Sequence, residues 1–279
     1  MPQLFLSLAI FLYCVATVFI ARQLTGTRLK LEANKASDQQ KHRLPQSFYI
    51  ACIAVVFHGI YTALCCFVDL RLNLSLNSMV VVVSFITCSI FQLAGSRMLI
   101  RRLGILVYPM TVLSLTFSLL WPESGKAMPA SSSLLSTHIL ISLSAYAFIT
   151  IALFQALLHW YQEHQILART QPAMLAALPP LQTMQQLWFR LLLLGFACLT
   201  LTLISGALFS QQIFGHAFVF QHHTILAILG WLVFFLLIVK RIKSGLRGSH
   251  AVLWTLIGFT FIQLGYFGTK IVSESLHLQ

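Results

Sequence analysis

Eight apolar runs, at residues 2–21, 47–68, 77–96, 103–121, 134–161, 187–209, 222–240 and 250–272, take up most of this chain, with polar connectors between them. Each reaches about the 20 residues that a helix needs to cross ~30 Å of hydrocarbon. In that medium every backbone amide must be satisfied within its own segment, so isolated apolar runs fold as α-helices. The expected fold class is therefore all-α: a polytopic membrane protein of eight transmembrane helices. Only 9% of its 279 residues are charged while 58% are hydrophobic, which no soluble domain of this size sustains. The first run has no basic stretch before it and no small-residue cleavage site after it, so it reads as a retained helix and not a signal peptide. A single membrane domain, 1–279, accounts for the sequence, with helices one to four in 1–133 and helices five to eight in 134–279.

The formal net charge of +12 would suit a nucleic-acid partner, but its placement argues otherwise. Arg22, Arg28, Lys30, Lys35, Lys41 and Arg43 fall in the first connector, and Arg97, Arg101 and Arg102 in the third. Arg169 in the fifth and Arg190 at the start of the next run mark the same side, as do Lys240, Arg241, Lys243 and Arg247 at and after the end of the seventh run. Only Arg71, Lys126 and Lys270 of the 18 basic residues lie elsewhere. Basic residues mark the cytoplasmic side, so this alternation puts both termini outside. The basic loops orient the chain in a lipid bilayer, and nucleic acid is excluded as a partner.

All six cysteines, Cys14, Cys52, Cys65, Cys66, Cys88 and Cys198, lie within apolar runs. None forms Cys-x-x-Cys, which excludes thioredoxin-like redox chemistry, and none forms Cys-x-x-Cys-His, which excludes covalent c-type haem on this chain. They read as small hydrophobes. The carboxylates Glu32, Asp38, Asp69, Glu123, Glu163 and Glu274 all sit in connectors or at segment ends. Coupled transporters keep an acidic group at mid-membrane depth, so coupled transport is disfavoured. No P-loop, Gly-x-Ser-x-Gly elbow or His-Glu-x-x-His helix is present.

What the chain does have is histidine. His138 falls at the outer end of segment five, His222 and His223 open segment seven, His216 precedes them, and His277 follows segment eight, so five of ten histidines gather on one side. Imidazole at a bilayer edge is a natural axial ligand for haem iron. The bland reading, a side chain meeting headgroups and water, is favoured for His216 and His223. His58, near the bilayer centre, stands evenly between a core imidazole bonded to a neighbouring helix and a functional group. His42, His159, His164 and His250 lie on the cytoplasmic side; His159 and His164, beside Trp160, Tyr161 and Glu163, read as an ordinary interfacial belt. The connector 22–46 reads as solvated, partly helical chain, 162–186 as irregular near Pro172 and Pro179-Pro180, 121–133 as a Gly/Pro/Ser loop, and the uncharged, Phe-rich 210–221 as chain along the membrane surface.

Several stretches carry a resemblance. His138-Ile-Leu-Ile-Ser142-Leu-Ser144-Ala-Tyr146-Ala-Phe148 is similar to a His-x-x-x-Ser-x-x-x-Tyr-Ala helix. Leu199-Thr-Leu-Thr-Leu-Ile-Ser-Gly206, Gly230-Trp231-Leu-Val-Phe, Gly245-Leu-Arg247-Gly248 and Gly265-Tyr266-Phe267-Gly268 follow in consistent order, and Leu72-Asn-Leu-Ser75-Leu-Asn77-Ser78 precedes them. Together these resemble the cytochrome c assembly family, and most of all its smaller eight-helix YpjD-like and HemX-like branch. The likeness spans about half the chain. It implies a bacterial inner-membrane protein that binds haem b non-covalently near the periplasmic face and handles it for cytochrome c maturation, with other maturation proteins as partners. Carried over, His138 and His277 match the family's outer axial ligands. His222, in His222-His223-Thr224, resembles a His-x-Thr of the branch.

The sequence also departs from the family. Its loop Trp-Gly-x-x-Trp-x-Trp-Asp is replaced by Phe214-Gly215-His216-Ala217-Phe218-Val219-Phe220-Gln221. An aromatic platform that includes Phe218 survives, while the indole N–H donors and the acid do not. Val239 stands where larger members carry a histidine before the Gly-Trp-Arg-Gly turn. Candidate cofactor residues are thus His138, His222, His277, His58, Ser142 (one turn inward from His138) and Phe218, with His138 and His277 as iron ligands. No enzymatic reaction is implied. Two other readings stay open. A b-haem quinone oxidoreductase needs two bis-His pairs, and His58 is alone at mid-depth. A regulatory or scaffold protein with a degenerate haem site, HemX-like in its control of haem biosynthesis or stabilising a partner, fits the lost tryptophans.

Overall fold

The computed structural model describes residues 2–33, 44–68, 71–73, 75–95, 101–121, 127–129, 133–169, 178–214 and 222–268. Its helices are α1 (Pro2–Ala33), α2 (Gln46–Cys66), α3 (Leu76–Ala94), α4 (Gly104–Leu120), α5 (Ser133–Leu167), α6 (Leu181–Phe214), α7 (His222–Ser244) and α8 (Gly248–Gln263). A π-helical turn, Leu264–Gly268, continues α8. Seven of the eight are long and apolar enough to cross a membrane, α8 together with its π-helical turn (Gly248–Gly268, 21 residues); α4, with 17 residues, falls short of that length. The chain is a multi-pass helical membrane protein.

Helices overrun the apolar runs wherever polar residues keep forming backbone bonds beyond the hydrocarbon. α5 continues through Glu163 to Leu167, and α6 begins at Leu181, directly after Pro179-Pro180. Thr183 and Met184 donate their N–H groups to the carbonyl of Pro180, so the proline pair opens the helix, as its missing donors allow. The fold is helical as expected, with one small addition. Strands β1 (Phe67–Val68), β2 (Arg71–Asn73) and β3 (Ala127–Pro129) form a small antiparallel sheet in the order β1-β2-β3, pairing Arg71 with Pro129 and Leu72 with Met128. The second apolar run therefore ends as helix at Cys66 and turns into strand. The sheet ties the α2–α3 and α4–α5 connectors together at one end of the bundle.

Each helix packs on its neighbours to give two rings of four. In one, α1 and α3 each lie against α2 and α4; in the other, α5 and α7 each lie against α6 and α8. The α5–α6 pairing is the most extensive, and α3 joins the rings by packing on α5. One continuous core runs from Leu6 and Tyr13 through Phe91, Tyr108 and Trp188 to Phe234 and Ile262. The Ser75–Ser78 segment shows how a short polar motif fixes a helix start. The Ser75 side chain accepts the N–H of Ser78 at 3.2 Å, and Asn77 donates to the carbonyls of Ser118 and Trp121 at the end of α4, 3.2 Å each.

The turn from α7 to α8 depends on Gly245 (φ +66°) and Gly248 (φ +65°). Gly245 closes α7 by donating to the carbonyl of Arg241 at 3.0 Å. A Cβ on Gly248 would lie 2.9 Å from a carboxylate oxygen of Glu163, which fills the space at the start of α8. Gly248→Ala combines this contact with the left-handed backbone, so it should cost about 1–2 kcal/mol, read as a lower melting temperature in detergent. Gly268→Ala, whose Cβ meets only Leu264 at 3.6 Å, should be near neutral.

Candidate functional site

His138 lies near the N-terminal end of α5, on the face packed against α6. Its ring is half-buried, with Nδ1 2.7 Å from the hydroxyl of Ser205 on α6. Ser205 also lies 3.1 Å from the carbonyl oxygen of Thr202, one turn back along its own helix. A carbonyl can only accept, so the single Ser205 proton goes to Thr202 and the Ser205 oxygen accepts Nδ1–H from His138. A neutral imidazole with its proton on Nδ1 keeps a lone pair on Nε2, and among the described residues Nε2 has no hydrogen-bond partner. The ring lies against the next residue of α6: a Cβ on Gly206 would sit in ordinary contact, 3.4 Å from Cε1 of His138. The Ser-Gly pair that ends the Leu199–Gly206 stretch is the seat of the imidazole.

Ser142, one turn from His138 and placed to hydrogen-bond it or to line a slot, bonds it through the backbone. Its hydroxyl donates to the backbone carbonyl of His138 at 2.7 Å, a helical back-bond that leaves the ring to Ser205. One turn further inward, Tyr146 packs on Tyr266 (centroids 5.7 Å) and Phe267 (6.3 Å) of the π-helical turn. Leu143, Ile139, Met79 and Val83 complete this satellite cluster beside the main core. π-Helical turns occur disproportionately at functional sites.

His222 is the first residue of α7 and is exposed, as is His223. A Cβ on Gly265 would meet the His223 carbonyl oxygen and Leu226 Cβ at 3.2 Å each, so α7 starts close against the π-helical turn. His138 and His222 therefore occupy the same end of one ring, on α5 and α7, with α6 and α8 between them. His277, Phe218 and His216 lie outside the described residues.

His58 belongs to the other ring. It is 0% exposed, with Nδ1 3.3 Å from Tyr13 Oη and Nε2 3.4 Å from Ser84 Oγ. Ser84 also donates to the Val81 carbonyl at 2.9 Å, so its oxygen accepts Nε2–H while Nδ1 accepts the Tyr13 hydroxyl proton. Both nitrogens are engaged, and binding a metal would break one of these bonds. His58→Leu should strand the buried Tyr13 hydroxyl and cost about 2 kcal/mol, measured as thermal stability in detergent. A haem spectrum, where one is present, should survive it.

One buried polar cluster escaped the sequence reading. His159, placed there in an interfacial belt, is 2% exposed and packs on Trp188 (centroids 5.6 Å). Gln155 and Gln162 lie on the same face, donating to the carbonyls of Met184 and Pro179. Among the described residues, the Nδ1 of His159, Nε1 of Trp188 and Oε1 of both glutamines have no hydrogen-bond partner. The available signal was spacing: 155, 159 and 162 share one side of a helix, whereas adjacency to Trp160 and Tyr161 suggested an interface. Nearby, Arg241 lies over the Phe189 ring at 3.7 Å and Lys240 over Trp254 at 4.3 Å, at the end opposite His138.

Comparison with known proteins decides the family. Residues 54–277 match the family described as cytochrome C assembly protein. The chain belongs to the cytochrome c assembly family. It is 27% identical over 202 residues to the inner membrane protein YpjD of Escherichia coli strain K12, covering 72% of this chain and 76% of that one. The cytochrome c biogenesis protein CcsA of Atropa belladonna is 32% identical over 99 residues, 34% of this chain and 32% of its own. CcsA of Nicotiana tomentosiformis matches to the same extent. No solved structure matches the chain. All the residues that seat His138, and the π-helical turn, fall within the part that matches the family.

Proposed function

We propose that this member of the cytochrome c assembly family resides in the bacterial inner membrane and binds haem b non-covalently at the periplasmic end of the α5–α8 ring. In this reading it handles haem for cytochrome c maturation. The observation that carries it is the seat of His138, whose ring is held on one nitrogen while the other is left as a lone pair. That is the arrangement an axial histidine needs. His277 is the proposed second ligand, and His222 lies at the start of α7, at the same end of the ring as His138. The π-helical turn and Tyr146 give an apolar wall, and Phe218 is the proposed aromatic contact. Bound iron would supply the ligation and redox chemistry that the apolar helices lack. The alternation of basic connectors supports placing this end outside, with both termini periplasmic.

The test is direct. The full-length protein, purified in detergent and loaded with haemin, should show a Soret band and a reduced-minus-oxidised α-band that are lost when His138 and His277 are both replaced by alanine. Absent bands, or bands that survive the double replacement, would remove the proposal.

One observation favours a second reading, a scaffold or regulator with a degenerate haem site. The loop at residues 214–221 has phenyl rings where the family carries indoles, and Gln221 where it carries an acid. Intact cellular function after substitution of every outer histidine would select that reading.

A further inference from the structure

We infer that Ser205 is the positioning residue of the site: it holds His138 in a single tautomer and makes it an exchangeable haem ligand, suited to passing haem on and not to keeping it. The inference rests on the haem-binding reading above. Its geometry is independent of haem, because it concerns where one proton and one lone pair lie in this chain alone.

Two distances fix the proton. Ser205 Oγ is 3.1 Å from the Thr202 carbonyl and 2.7 Å from His138 Nδ1. The hydroxyl has one hydrogen, the carbonyl none, so the chain of donors runs from His138 Nδ1–H to Ser205 Oγ–H to Thr202 O. The bond back to residue 202 also fixes the Ser205 rotamer, and the imidazole lies against Gly206 beside it. The result is a ring that cannot turn Nε2 inward without losing its 2.7 Å bond.

The partner's chemistry then sets the strength of the ligand. A carboxylate on Nδ1–H pulls the proton toward itself, giving the imidazole anionic character and a stronger bond to iron. Ser205 cannot do this. Its oxygen is neutral, and its own proton is already committed to a carbonyl. The only carboxylate in α5–α8 is Glu163, at the far end of α5. His138 is therefore oriented as firmly as a permanent ligand but kept at the basicity of a neutral imidazole. A resident redox haem gains from tight ligation, whereas a haem in transit needs a ligand that releases it.

The experiment compares full-length wild type with Ser205→Ala, Ser205→Thr and Ser205→Asp. Haem release is followed by transfer to apomyoglobin, the reduction potential by titration, and the His138 tautomer by 15N chemical shifts in the haem-free protein, assigned against His138→Gln. Ser205→Ala should release haem roughly 10-fold faster and split His138 between tautomers. Ser205→Thr, which keeps the hydroxyl, should restore both values. Ser205→Asp should slow release and move the potential to more negative values. If haem binds and Ser205→Ala leaves release, potential and shifts unchanged, the inference is overturned; a Ser205→Asp protein that melts like wild type yet releases haem no more slowly overturns the exchangeability half. A wild type that binds no haem defeats the haem reading instead, and the 15N shifts still report the tautomer.

Discussion

His138→Ala should weaken haem binding on the order of 100-fold, about 2.7 kcal/mol, while leaving the protein folded. The lower bound comes from the neighbouring shell, since removing only the partner of a metal-bound histidine costs about 10–100-fold, and removing the ligand itself cannot cost less. Folding should survive because the ring is half-buried and its one described partner, Ser205, keeps its bond to Thr202. The truncation opens a space beside Gly206 that no other described side chain is bonded across, so free imidazole should enter it and partly restore the α-band. His159→Ala is the matched control: the same residue type on the same helix, at the opposite end of the ring, where loss of the haem spectrum is not expected. Binding curves for haemin with the three proteins (wild type, His138→Ala with and without imidazole, His159→Ala) check the argument. Equal affinity in wild type and His138→Ala would remove His138 from the site.

The contrast between those two histidines shows what the sequence could and could not reveal. Eight apolar runs specify eight helices because hydrocarbon admits little else, and the order of motifs along helices five to eight points to the family. His138 was legible for the same reason, as an imidazole at the mouth of an apolar run. Its partner was not. Ser205 lies 67 residues away, and whether it meets His138, Thr137 or nothing depends on the register of α5 against α6. That register is set by close contacts such as Gly195 on Ile149, which hydropathy does not encode. Ser142, at helical spacing from His138, bonds its backbone carbonyl and leaves the ring to Ser205. The sheet was invisible because strands of two or three residues show no period. His159 was misplaced because hydropathy marks where lipid ends, whereas burial depends on which face of the helix turns inward. His58 could be read either way from sequence, and the Tyr13 and Ser84 contacts that occupy its nitrogens come from two other helices.

Gly195→Val should be the most damaging single substitution in the α5–α6 pair, costing about 3 kcal/mol and taking haem binding with it. A Cβ at residue 195 would lie 2.7 Å from Ile149 Cγ1, 3.1 Å from the Ile149 backbone nitrogen and 3.3 Å from Phe148 Cβ. Ile149 is 1% exposed, so its side chain has nowhere to swing, and its backbone nitrogen cannot move without moving α5. The helices must separate. Membrane helices associate through close packing at small residues, since lipid offers no hydrophobic drive to hold them together, so a wedge here acts on the main source of their affinity. The displacement also travels. His138 and Ser205 lie about three turns along the same interface, and a 2.7 Å bond between side chains on the two helices does not survive a shift of an ångström. Gly195→Ala, with a single methyl, should cost about half as much and retain weakened haem binding. Thermal unfolding in detergent, read alongside haem titration, separates this from the His138→Ala case: there affinity falls at constant stability, and here both fall together. A Gly195→Val protein that melts like wild type would mean that α5 and α6 do not approach at this glycine, and the seat of His138 would lose its support.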